Sequence, residues 1–169
     1  MKKKLTLLLA VLMLVLAGCG SKVNDHVVDY KLDIPDGFVE TEMEELEAIW
    51  VRSSDNSNIN LNVVAKTSTT NAGFKAVTAD ILRETVVSTL KDAYNVEPTV
   101  TDRYFTKNDV SGLTAYQYSY DVEIGGQSMT QIIVCINADK TYTFTYTTND
   151  AATVKAFDES AKNIQLVIE

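Results

Sequence analysis

The chain has 169 residues, 46% of them apolar, which is enough for one domain around one core. Its formal net charge is −8; Lys2, Lys3 and Lys4 stand at the start, so of 15 basic residues 12 remain beyond them against 23 acidic ones. That balance argues against a phosphate backbone or an anionic lipid surface bound through a basic patch, and two cysteines are too few for a disulfide framework.

After Met1 and the three lysines comes Leu5–Leu16, apolar except for Thr6. A bilayer span takes about 20 residues, so this shorter run behind a positive start reads as an export signal over residues 1–18. Leu16-Ala17-Gly18-Cys19 resembles the lipobox of bacterial lipoproteins. The resemblance implies that Leu16, Ala17 and Gly18 are recognised by a signal peptidase that cuts before Cys19. It also implies that the Cys19 thiol carries a diacylglyceryl group. Each buried methylene contributes about 0.8 kcal/mol, and two chains hold where one binds only reversibly. The expected location is the extracytoplasmic face of the cell membrane, or the outer membrane in a Gram-negative cell. Residues 19–27 lack periodicity and read as a lipidated tether, and residues 28–169 as a single globular domain.

Val28, Tyr30, Leu32 and Ile34 alternate with Asp29, Lys31 and Asp33, the pattern of a half-buried strand that Pro35-Asp36-Gly37 ends. Ala48–Arg52 is a second strand. Asp55-Asn56-Ser57-Asn58 is a turn. Ile59, Leu61, Val63 and Ala65 mark a third strand, and its polar other face, Asn60 and Asn62, places it near an edge or solvent. Over 72–94 the period becomes helical, with Phe74, Val77, Ile81, Leu82, Val86, Leu90 and Ala93 inward; Thr70, Asn71 or Thr78 can cap it and Asn95 and Pro98 end it. Val100–Thr106 is a strand stopped near Asn108-Asp109.

Leu113–Ile124 and Gln127–Ile136 flank Gly125-Gly126, a two-residue hairpin signal. The loop fixes the register: Ile124 faces Gln127, Val122 Met129, Tyr120 Gln131, Tyr118 Ile133 and Tyr116 Cys135. Ile132, Ile133, Val134 and Ile136 leave no polar side, so that arm is central and covered on both faces. Thr141–Thr148 is the next strand. Asn149 or Asp150 caps a helix over 151–162 with Val154, Phe157 and Ala161 inward, and Ile164–Ile168 adds a terminal strand. The expected fold is α+β, one antiparallel sheet of six to seven strands with helices on its faces.

His26, the only histidine, lies in the tether, so no Ser-His or Cys-His pair is indicated. Cys135 on the central strand reads as a small core residue and cannot supply a zinc site alone. Glu40, Glu42, Glu44, Glu45 and Glu47 crowd one stretch without the spacing of a calcium loop, so they read as a solvated face and no metal site is assigned. No sequence motif calls for a cofactor, and no catalytic residue is assigned. Tyr116, Tyr118 and Tyr120 share one strand face; Tyr142, Phe144 and Tyr146 share another. Such aromatics line binding faces, where Tyr is enriched, or pack under helices with their hydroxyls at the rim.

Tyr30-Lys31-Leu32-Asp33-Ile34-Pro35-Asp36-Gly37-Phe38, the long hairpin, and the ending Phe157-Asp158-Glu159-Ser160-Ala161-Lys162-Asn163-Ile164-Gln165-Leu166 resemble PsbP-like domains. The resemblance implies an α/β/α sandwich. It implies an accessory or scaffold role, since many members are lipoproteins without known activity, and the photosynthetic ones assist a metal cluster. None of their binding residues is carried over. The sequence thus leads to a membrane-anchored, non-enzymatic binding or accessory module, with an envelope protein or small ligand as partner and no nucleic acid. An envelope hydrolase, or a purely structural or cation-buffering lipoprotein, is the alternative.

Overall fold

A computed structural model describes residues 26–44, 46–52, 59–67 and 71–169. The signal, Leu16-Ala17-Gly18-Cys19, most of the tether, Glu45 and the 55–58 turn lie outside the described residues. The elements are β1 (Val27–Lys31), β2 (Phe38–Thr41), β3 (Ala48–Arg52), β4 (Asn60–Thr67), α1 (Asn71–Ala76), α2 (Ala79–Tyr94), β5 (Thr99–Val110), β6 (Leu113–Ile124), β7 (Gln127–Asn137), β8 (Lys140–Thr148), α3 (Ala151–Lys162) and β9 (Gln165–Ile168). Seven strands form one sheet in the order β2-β3-β4-β8-β7-β6-β5, and β1 pairs with β9 in a separate two-stranded sheet. All pairings are antiparallel.

The Gly125-Gly126 loop produces the expected register, from Ile124 opposite Gln127 to Tyr116 opposite Cys135. Both glycines have positive φ, which a two-residue loop of this kind requires. β7 sits between β6 and β8, and Ile132 to Ile136 are buried on both faces. One core layer lies between the sheet and α3 with β1 and β9, built on Val134, Phe144, Tyr146 and Phe157. The other lies under α1 and α2, built on Phe74, Leu82, Val86, Tyr118 and Ile133.

Several expectations need correction. Val27, not Val28, is the buried residue opening β1, so the folded domain begins inside the expected tether. An irregularity between Val27 and Asp29 in the pairing with β9 turns Val28 out to 45% exposure. The helix expected over 72–94 is two helices. Thr78 is extended (φ −129, ψ 164) and its hydroxyl accepts the Ile81 amide at 3.3 Å, capping α2 afresh. That restart fixes the buried stripe on Leu82, Val86 and Leu90 and leaves Ile81 and Ala93 exposed. Asn95 ends α2 in the left-handed region (φ 55).

β5 does not stop at Asn108-Asp109. Both residues pair with β6, and the reversal comes at Ser111-Gly112, where the Gly112 amide donates to the Asp109 carboxylate at 2.7 Å. β2 was not foreseen, because its burial is slight and no apolar alternation marks it. β2 and β5 are the sheet edges. β2 is only four residues long, and β5 carries a bulge; both devices blunt edge-to-edge pairing.

Phe144 is 0% exposed and meets Tyr30 edge-on at 5.7 Å. Truncating it leaves a cavity in a layer that cannot collapse. Phe144→Ala is expected to cost about 3–5 kcal/mol, read as a fall in urea midpoint at unchanged slope. A loss below about 1 kcal/mol would contradict this packing.

Candidate functional site

The aromatic residues picked out by sequence lie in the core. Tyr116, Tyr118 and Tyr120 are at most 1% exposed and face α1 and α2. Tyr142, Phe144 and Tyr146 lie on the opposite face, under α3 and the small sheet. The two sets do not come together, and neither lines an open surface. Their hydroxyls find partners within the fold: Tyr118 donates to Asp102 at 2.6 Å, Tyr120 to the Gln131 side chain, and Tyr146 pairs with Ser160 at 3.0 Å. Burial pushes every one of these phenols above its ordinary value. The Cys135 thiol lies beside Thr143 at 3.6 Å, and burial pushes it up to about 11. Chemistry-bearing groups in this region are therefore held neutral and away from solvent.

Sequence reasoning missed a buried polar row. Tyr120, Gln131, Thr147 and Asn60 stand side by side on β6, β7, β8 and β4. Gln131 accepts from Tyr120 and donates to Thr147 at 2.9 Å. Asn60 and Asn62, expected near an edge or solvent, are 4% and 0% exposed on an interior strand. Asn62 donates to Asn60 at 3.2 Å, while its own carbonyl oxygen is buried without a partner among the described residues. A buried orphan acceptor costs about 1–3 kcal/mol, so the row restricts which side chains can sit there.

Among the described residues, two rim grooves stand out. One, of about 460 Å³, lies between β2 and β3 and is lined by Glu40, Glu42, Glu47, Met43 and Leu46. The acidic stretch thus borders a hollow. No group of three or more His, Cys, Asp or Glu suited to a metal ion occurs among the described residues.

The other, of about 380 Å³, runs from the β6–β7 hairpin to the first turn of α3; Arg103, Asp121, Thr130, Asn149, Met129 and Val154 line it. A bulge positions Arg103. Asp102 pairs with Tyr120 and Tyr104 with Ser119, so Arg103 is the extra residue. Tyr104 and Arg103 both reach the α3 side: Tyr104 donates to Asp158 at 2.6 Å, and the Arg103 guanidinium lies 3.7 Å from Asp121. The sequence signal for this bulge is a broken alternation, in which Asp102 and Phe105, three apart, share the α2 side.

Asp150 caps α3 through the Ala152 amide (3.0 Å), Thr153 hydroxyl (2.6 Å) and Arg52 (3.1 Å). Those bonds, led by Thr153, hold its carboxyl below the usual value. No helix among the described residues is long and apolar enough to cross a membrane.

The PsbP family model matches residues 21–167. No curated protein matches the sequence. Among solved structures, the solution structure of cyanobacterial PsbP (CyanoP) from Synechocystis sp. PCC 6803 is similar, with 19% identity, a TM-score of 0.65, and coverage of 90% of this chain and 99% of that one. LpqN, a Mycobacterium tuberculosis protein involved in cell envelope biogenesis, aligns over 89% of this chain and 88% of its own, at 12% identity and a TM-score of 0.48.

The raised thiol has a pH consequence. Folding favours the neutral form, so the Cys135 contribution is full below pH 9.0 and is lost as pH climbs through about 11. The urea midpoint should hold to pH 9 and then fall. At pH 8 a thiol reagent should leave Cys135 untouched in the folded protein and label it in denaturant; native labelling at the rate of a free thiol would contradict its burial.

Proposed function

This chain belongs to the PsbP family, and from that premise we propose that it is a lipid-anchored, non-enzymatic binding or accessory module on the extracytoplasmic face of a cell membrane. The observation carrying the anchor reading is where the family match opens. It starts at residue 21, two positions beyond Cys19, so Leu16-Ala17-Gly18-Cys19 stands directly ahead of the domain. A lipidated Cys19 then leaves only a few residues before His26, whose carbonyl already accepts the Glu169 amide at 3.0 Å. Six residues reach at most about 20 Å, so the domain sits close to the membrane.

The accessory reading is supported by where the reactive groups lie. The thiol and the tyrosines are packed inside and kept neutral, while the open polar features are shallow rim grooves. Such a surface binds more readily than it performs covalent chemistry, which needs convergent groups of matched pKa in one cleft. An envelope protein or a small ligand is the expected partner.

Membrane fractionation with metabolic lipid labelling tests this reading. The wild-type chain should carry label and resist an alkaline or high-salt wash. Cys19→Ser should lose the label and leave the membrane, since one apolar leader without acyl chains is a weaker hold. An unlabelled wild type, or a Cys19→Ser protein of unchanged mass and location, would overturn the anchor. Hydrolysis of an envelope polymer by the purified protein would overturn the non-enzymatic role.

A further inference from the structure

The anchor marks one end of the domain as the membrane-proximal one, and this step rests on the anchored reading above. The chain enters the domain at His26, whose ring lies 3.2 Å from Asp139 in the β7–β8 turn. The Arg103 groove is at the other end of β7, around Met129 and Thr130. From Thr130 to its end at Asn137, next to the turn that holds Asp139, β7 runs seven steps, about 23 Å at the usual rise. The groove therefore lies at the end of the sheet opposite the anchored one.

Its chemistry is two-signed. Arg103 has five donors, and its partner among the described residues is Asp121 at 3.7 Å, beyond hydrogen-bond length. Asp121 accepts the Thr130 hydroxyl at 2.7 Å and retains acceptor capacity. The Arg103 and Asp121 side chains are 32% and 55% exposed. Beside them, Val154 and Ala151 give an apolar wall, and the exposed Asn149 lies at the opening. A guanidinium and a carboxylate side by side, each incompletely bonded, match a ligand that carries both charges. The acidic chain repels simple anions, whereas a zwitterion has no net charge to repel. A single carboxylate is a poor cation site.

We propose that this membrane-distal groove binds a free α-amino acid with an apolar side chain, its carboxylate on Arg103, its ammonium on Asp121 and its side chain against Val154 and Ala151. The volume of about 380 Å³ holds one such molecule with water.

An amide chemical-shift titration of the full-length protein in detergent micelles tests this, with L-leucine, leucinamide, N-acetylleucine and phosphoethanolamine as probes. Leucine should shift residues 103, 121, 128–130 and 149–154. Leucinamide lacks the carboxylate and N-acetylleucine lacks the ammonium; each should bind at least about tenfold more weakly, the loss of one charge-assisted bond. These comparisons use the wild-type chain, so they survive a variant that misfolds. Arg103→Gln should remove leucine binding. Asp121→Asn should weaken leucine while erasing its advantage over N-acetylleucine, a crossover that a merely structural role would not produce. No shift with leucine, shifts elsewhere, or equal binding of the blocked analogues would overturn the proposal. Tighter binding of phosphoethanolamine would assign the groove to a lipid headgroup and overturn it too. Cys19→Ser should bind leucine unchanged, so a failed anchor and a failed groove give different results.

Discussion

The rest of the structure depends on β7 being sealed on both faces. Ile132, Val134 and Ile136 point into one core layer, and Ile133 and Cys135 into the other. A strand without a polar side has to lie inside a sheet with cover above and below, because each exposed apolar side chain forfeits roughly 1.5–3 kcal/mol of burial. That requirement places β6 and β8 as neighbours, sets α2 over one face and α3 over the other, and sends less apolar strands outward. The edges fall to the bulged β5 and to the four-residue β2.

Two covered faces also settle where chemistry can occur. Side chains that attract notice in the sequence, the tyrosines and Cys135, are the large or soft groups that fill these layers. Their polar atoms are bonded to Asp102, Gln131, Ser160 and Thr143 rather than offered to a ligand. Openings remain where elements end: between β2 and β3, and where the β6–β7 hairpin meets the start of α3. Fold likeness alone does not carry a partner from one member of a family to another.

Much of this was legible in the sequence where period and turn chemistry agreed. Gly125-Gly126 between two alternating runs fixed ten residue pairs, and the absence of a polar face on 132–136 placed β7 in the middle. Asn149 and Asp150 marked the start of α3, since short polar side chains bond the first amides of a helix, and Asp150 is the one that does so. What escaped were the irregularities. The turned-out Val28 and the extra Arg103 each break a strict period of two, and Thr78, read as one possible cap of a single helix, opens a second helix inside one apolar stripe. Asn60 and Asn62 looked solvated because their type is, yet the neighbouring Thr145 and Thr147 make a polar lane within the buried sheet. The Arg103 groove was invisible for a related reason: it joins residues from β5, β6, β7 and α3 that no spacing connects.

Native-state hydrogen exchange tests the sealed strand most directly. The amides of residues 132–136 should exchange slowest of all, only through global unfolding, and should track stability measured by urea. β2 and the Gly125-Gly126 loop should exchange early through local opening. Slow exchange centred on β2 or β5, with 132–136 opening well below the global unfolding free energy, would contradict a fold organised around β7.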